Sequence, residues 1–228
     1  MYDQLKGQNF EIVSVAQDTG GLEAVEPWYS RAKATYTALV DVTHKVSSLY
    51  NLVNVPSAVW IDEKGRILRI NEGTYSRRIF LGDKYYIGTE DYTPAVRDWV
   101  AKGSKSAFVW TPQQVAARVR KRTSDEALAE PTFKLGVYFF QQKDQERARV
   151  HWKRAEELAP DSWNYHRQDW NFTEDGSSGV NWTEKRDALG DKPYYAPLDL
   201  PSVNPPPPDA IDVGRPGATP VPGRAPAR

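Results

Sequence analysis

The chain has no cysteine, and this absence excludes more chemistry than any motif supplies. Without a thiol there is no thiolate nucleophile, no redox-active pair, no disulfide staple and no thiolate zinc site. An excess of one charge is lacking too. The 30 Lys and Arg residues offset the 30 Asp and Glu residues, so no net field draws the chain to nucleic acid or to an acidic membrane, and neither is expected as a partner. No apolar run reaches the roughly 18 residues that a membrane span needs, and the start lacks the basic-then-apolar pattern of a signal peptide. The expectation is a chain that neither spans a membrane nor is exported, cytoplasmic by default. The 3 histidines, His44, His151 and His166, are spread along the chain with no second ligand at metal spacing. No Gly-rich loop follows a strand and no serine sits in a nucleophile elbow. No metal, cofactor or catalytic residue is expected.

What is present is ordinary globular material, 39% hydrophobic over 228 residues, enough for at least one packed core. The most informative stretch is 51–69, NLVNVPSAVWIDEKGRILR. It reads as a loop closed by Pro56, a strand over 57–62, a turn at Glu63-Lys64-Gly65 and a returning strand over 66–70. Val59 and Ile61 alternate with Ala58 and Trp60, which predicts a strand covered on both faces. Asp62, Glu63 and Glu72 flank this hairpin and read as solvated turn charges rather than a carboxylate pair.

A helix over 44–52, then Val55-Pro56, an apolar strand ending in Ile61-Asp62, a glycine turn and Arg66-Ile67-Leu68 together resemble the second half of a thioredoxin-like domain. The similarity is to the TlpA and ResA type of thiol-disulfide oxidoreductase and to the wider redoxin (AhpC/TSA) group that includes peroxiredoxins. The resemblance implies that Pro56 is cis and that Val55 and Pro56 form a substrate-facing wall against active-site cysteines. This chain has no such cysteines, so whether it is an enzyme stays open. The phrase LKGQNFEIVSV (5–15) resembles the segment in and after the cysteine-bearing helix of TlpA-like proteins. By that alignment the cysteine pair, or what replaces it, lies upstream of Met1, and the chain is expected to be N-terminally truncated. The central sheet is then incomplete, leaving strand edges to pair directly, to recruit another segment or to drive self-association.

Further along, a strand over 11–16, a helix over 22–34, a strand over 37–42 and a helix opened by Thr43 precede Pro56. Residues 71–89 lose periodicity and read as a long insertion, and Thr93-Pro94 opens a helix stopped by Gly103. A capping box at Thr111-Pro112-Gln113-Gln114 opens a second unit. From Ala129, the residues Leu135-Gly136, Phe139, Ala148, Trp152, Ala155 and Pro160 resemble a tetratricopeptide (TPR) helical hairpin. Gly136 and Ala148 would let its helices approach while Phe139 and Trp152 fill the gap. Phe133 stands beside Thr132, where the motif wants a large aromatic. A single repeat must pack on something else, either the aromatic-rich segment from Trp163 to Tyr195 or the thioredoxin-like unit.

The expected organisation is an α/β thioredoxin-like domain with an incomplete central sheet (1–104), an α-helical TPR-like region (105–200) and a disordered Pro-rich tail (201–228). Two functional readings follow. One is a redoxin-family protein that is redox-inactive as written. The other is a non-catalytic module that uses the Val55-Pro56 loop and the hairpin to hold an extended peptide or partner protein.

Overall fold

The computed structural model describes residues 1–73, 75–172, 178–200 and 203–214. A short helix α1 (Tyr2–Leu5) leads to β1 (Val13–Gln17), which runs parallel to β2 (Thr37–Asp41) with α2 (Leu22–Ala32) as the crossover. The Tyr29 hydroxyl bridges this pair, accepting from the Ala16 N–H at 3.0 Å and donating to the Leu39 carbonyl at 2.8 Å. Asp41 then turns the chain into α3 (Lys45–Tyr50), its carboxylate accepting from the Val46 N–H at 2.7 Å. The residue flanking α3 is His44, in a left-handed conformation, rather than the expected Thr43.

Strand β3 (Ser57–Ile61) pairs antiparallel with β4 (Ile67–Glu72). The turn is made by Asp62, whose Oδ1 accepts from the N–H groups of Lys64 and Arg66, with Gly65 at φ 74°. Among the described residues no ladder joins β1 to β3, and the two pairs stand as separate sheets. The expectation that β3 is covered on both faces is corrected. Trp60 is buried, stacks on Trp99 at 4.8 Å and donates its Nε1–H to the Tyr92 hydroxyl at 2.8 Å. The opposite face is open enough to leave Ile61 40% exposed. The reason is one-sided packing: the core of Leu5, Trp60, Leu68, Tyr92, Ala95 and Val96 lies where α4 (Tyr92–Lys102) docks.

The stretch 71–89 is not structureless. It carries β5 (Ile79–Phe80) and β6 (Tyr85–Ile87), an antiparallel pair. Part of the tail expected to be disordered joins them, since β7 (Ile211–Asp212) pairs parallel with β6. Val213 buries its side chain and donates its N–H to Tyr86 O at 2.9 Å, which ties this part of the tail down. Residues 201–202 and 215–228 of that tail lie outside the described residues.

Two capping boxes open the helical region, Thr111/Gln114 for α5 (Pro112–Arg118) and Thr123/Glu126 for α6 (Ser124–Gln141). The second starts the hairpin earlier than Ala129. Helix α6 packs on α7 (Gln145–Leu158), followed by α8 (Trp163–Phe172) and α9 (Ser178–Asp187). A Cβ added at Gly136 would lie 2.4 Å from Trp152 Cδ1, so only hydrogen fits there. Phe133 fills the hairpin core with Val137, Ala148, Trp152 and Ala155. Phe139, expected in that role, is only partly buried and stacks on His151 at 5.3 Å.

The hairpin leans on both neighbours considered for it. The Phe133 ring stacks on Tyr165 of α8 at 4.4 Å and meets His44 beside α3 edge-on at 4.9 Å. Arg122 ties the same junction, donating to Asn51 Oδ1 at 2.8 Å and to the Ser48 carbonyl while pairing with Glu130.

Candidate functional site

The loop between α3 and β3 carries Val55 and Pro56, the two residues singled out by sequence. Their peptide bond is cis. A loop buried against other elements must find partners for its backbone groups, and here each of the five carbonyls from 52 to 56 has one. Leu52 O accepts from Asn164 Nδ2 at 3.0 Å, and Val53 O from the Asn164 N–H at 3.1 Å. Asn54 O accepts from the Ser57 hydroxyl at 2.6 Å, and Pro56 O from the Gly73 N–H at 2.7 Å. Val55 O accepts twice, from Arg167 Nη1 at 3.1 Å and from the Tyr195 hydroxyl at 2.8 Å.

The donors are covered in the same way. Glu72 Oε1 accepts from the N–H groups of Val53 at 2.9 Å and Asn54 at 3.3 Å. The Asn54 side chain, fully buried, accepts from the Val55 N–H at 2.9 Å and donates to Tyr194 O at 3.1 Å. Glu72 is therefore no solvated turn charge. Burial raises its carboxyl above the usual range, against the two backbone bonds that favour the anion. Asp62 and Glu63 do match the turn reading, bonded to Arg66 and Asn9 respectively.

Position 73 must be glycine for Tyr195 to reach the loop, because a Cβ there would fall 2.8 Å from Tyr195 Cγ. The Tyr195 hydroxyl lies 3.3 Å from that of Tyr75, and burial pushes its phenol far upward, so it stays a neutral donor. Tyr194 accepts from Trp182 Nε1 at 2.9 Å and from Arg167. Arg167, Asn164 and Tyr195 were invisible to sequence reasoning as loop partners. The cluster of aromatics from Trp163 to Tyr195 was the one signal that pointed to this segment.

Beside the sealed loop lies a cavity of about 540 Å3 between the loop, β4, α5 and the segment 189–199. Tyr50, Trp110 and Trp163 form apolar walls, and Glu72, Arg118 and Lys192 supply charges of both signs. Arg118 lies over Trp110 at 5.0 Å and pairs with Asp199 at 3.3 Å. Such a mixture suits a ligand with apolar side chains and a polar backbone. The Ser57 hydroxyl, at the first position of β3, donates to Asn54 O at 2.6 Å.

The histidines are not brought together. His44 sits between α3 and Phe133 of α6, His151 lies on Phe139, and His166 joins a charged cluster between α7 and α8. In that cluster His166 Nδ1 is 3.1 Å from Glu156 Oε2, and Lys153 Nζ is 2.5 Å from Asp169 Oδ2. His166 also lies 5.4 Å from the Trp170 ring. No group of three potential metal ligands is found among the described residues. Nor, among them, is any helix long and apolar enough to cross a membrane. No protein-family model, curated protein or solved structure matches the chain.

Proposed function

We propose that the chain is a redox-inactive, thioredoxin-like binding protein that holds an extended peptide segment of a partner in the cavity beside the Val55-Pro56 loop. The observation that carries this reading is the saturation of the loop. Its carbonyls 52, 53 and 55 are engaged by Asn164, Arg167 and Tyr195 of the same chain. The wall that the family resemblance assigns to substrate is thus occupied from within, and the open concave surface lies next to it. The run of α3, loop, β3, turn and β4, with α4 following after the inserted β5 and β6, supports the thioredoxin-like part. The missing thiols support the inactive part, since neither dithiol exchange nor peroxide reduction proceeds without a thiolate.

Selection of peptides from a random display library on the immobilised chain tests the reading. Ala196 is exposed and lines the cavity, so Ala196→Trp should block it without disturbing the core. Selected peptides are expected to bind Ala196→Trp about tenfold or more weakly than wild type. Equal binding to both, or no enrichment of peptides at all, would overturn the assignment. Insulin reduction or peroxide consumption above the protein-free rate would overturn the redox-inactive part.

A further inference from the structure

Residues 203–213 form a bridge fastened at both ends. At the start, Asp91 Oδ1 accepts from the N–H groups of Val203 at 3.2 Å and Asn204 at 3.1 Å, and from Asn204 Nδ2 at 2.9 Å. Arg78 Nη2 donates to Asn204 O at 2.8 Å. At the far end Ile211 donates its N–H to Lys84 O at 2.6 Å and β7 pairs with β6. Between these anchors stand four consecutive prolines, 205 to 208.

Each proline ring fixes its own φ, and each following proline drives the residue before it out of the helical region. The run is therefore confined through Pro207 to extended, polyproline-type backbone with about three residues per turn, and Pro208 opens the turn in which the Ala210 N–H donates to Pro207 O at 3.0 Å. On such a helix Pro205 and Pro208 share one edge, while Pro206 and Pro207 occupy the other two. The exposure follows that period: Pro206 is partly covered, whereas Pro205, Pro207 and Pro208 are exposed. The run lies on its Pro206 edge and turns the rest to solvent. A proline run has no N–H to extend a sheet, so its anchoring serves display rather than further pairing.

We propose that prolines 205–208 are a displayed ligand for a partner domain that reads polyproline in an aromatic-lined groove flanked by acidic side chains. The aromatic groove follows from the ligand's shape, since flat rings pack between the ridges of a polyproline helix. The acidic flank follows from charge. Arg77 and Arg97 are exposed and line a hollow with Asn204 at the start of the run, outnumbering Glu90 of the same lining, and Arg78 holds Asn204 itself. Fixing both ends in advance removes part of the ordering cost that a free peptide meets on binding. These residues are separate from the cavity above, so the two readings stand or fall apart.

The test titrates the full chain, and a synthetic peptide of residues 203–210, into three recombinant probes: an SH3, a WW and an EVH1 domain. At least one is expected to bind the full chain about threefold or more tightly than the peptide. The double variant Pro205→Ala/Pro208→Ala should weaken that binding about tenfold or more, Pro206→Ala should weaken it less, and Arg77→Glu should weaken it measurably. Far-ultraviolet circular dichroism and the thermal midpoint check that the variants remain folded. No binding of any probe to the full chain, binding no tighter than that of the peptide, or unchanged affinity in the double variant would contradict the proposal.

Discussion

The helical hairpin and the β1–β2 layer both leave apolar side chains in solvent, Leu128, Leu135, Tyr138 and Val150 among those of the hairpin, but only the hairpin also closes a cluster of fully buried ones. Phe133, Val137, Ala148, Trp152 and Ala155 are all buried. In the β1–β2 layer and its helices, Val25 is buried while Val13, Leu22, Trp28, Leu39 and Leu49 are exposed. Stability should therefore be concentrated in the hairpin and at the junction it makes with the rest of the chain. Apolar pattern alone creates a strand or helix; a second layer is what converts it into a core.

The sharpest way to break this contrast is to truncate one side chain in each region. Trp152→Ala should cost about 3 to 5 kcal/mol in urea unfolding, as a large core side chain replaced by a void. Leu39→Ala, 48% exposed on β2, should cost under about 1 kcal/mol, because surface substitutions change little. Equal costs would erase the distinction between the two regions.

The junction is probed next, through pH. His44 is buried, and burial holds its pKa down at about 4 against 6.5 for the free side chain, outweighing the nearby Asp41 carboxylate and Gln168, which favour the charged form. Between those values the unfolded chain binds a proton that the folded chain refuses, so stability rises with pH across this window and falls as pH drops from 6.5 to about 4. The part due to His44 should approach about 3 kcal/mol. His44→Gln should flatten that slope, and identical pH profiles for the two proteins would count against a neutral, buried His44.

The loop seal comes next in size. Arg167→Ala removes one of the two donors to Val55 O and a partner of Tyr194, and should cost about 1 to 3 kcal/mol. Combined with Tyr195→Phe in a double-mutant cycle, it should show coupling, since both donors meet one carbonyl. Strict additivity would mean that the two donors act independently.

The same contrast explains what was legible in the sequence. The Thr111/Gln114 capping box, the glycine at the helix contact and Trp152 were read because each is a local pattern within a few residues, whereas the equally local Thr123/Glu126 box was missed. The hairpin of β3 and β4 was visible for the same reason, with Asp62 and Gly65 setting the turn. The loop seal was not, because Val55 meets Tyr195 and Arg167 more than 100 positions later in the chain, and no local spacing encodes that meeting. Glu72 was misread for a related reason. A carboxylate at a strand end looks solvated until a distant segment buries it. Similarly, the proline count marked the tail as disordered, whereas anchors on Asp91, Lys84 and Tyr86 fix residues 203–213.

Amide hydrogen exchange at residues 53–55 is the most direct test of the sealed loop. In the wild-type chain the N–H groups of Val53, Asn54 and Val55, bound to Glu72 and Asn54, should exchange slowly. In Arg167→Ala they should exchange about tenfold or more faster, while the β3–β4 ladder amides keep their protection. Rapid, unprotected exchange of these three amides in the wild-type chain would contradict the account.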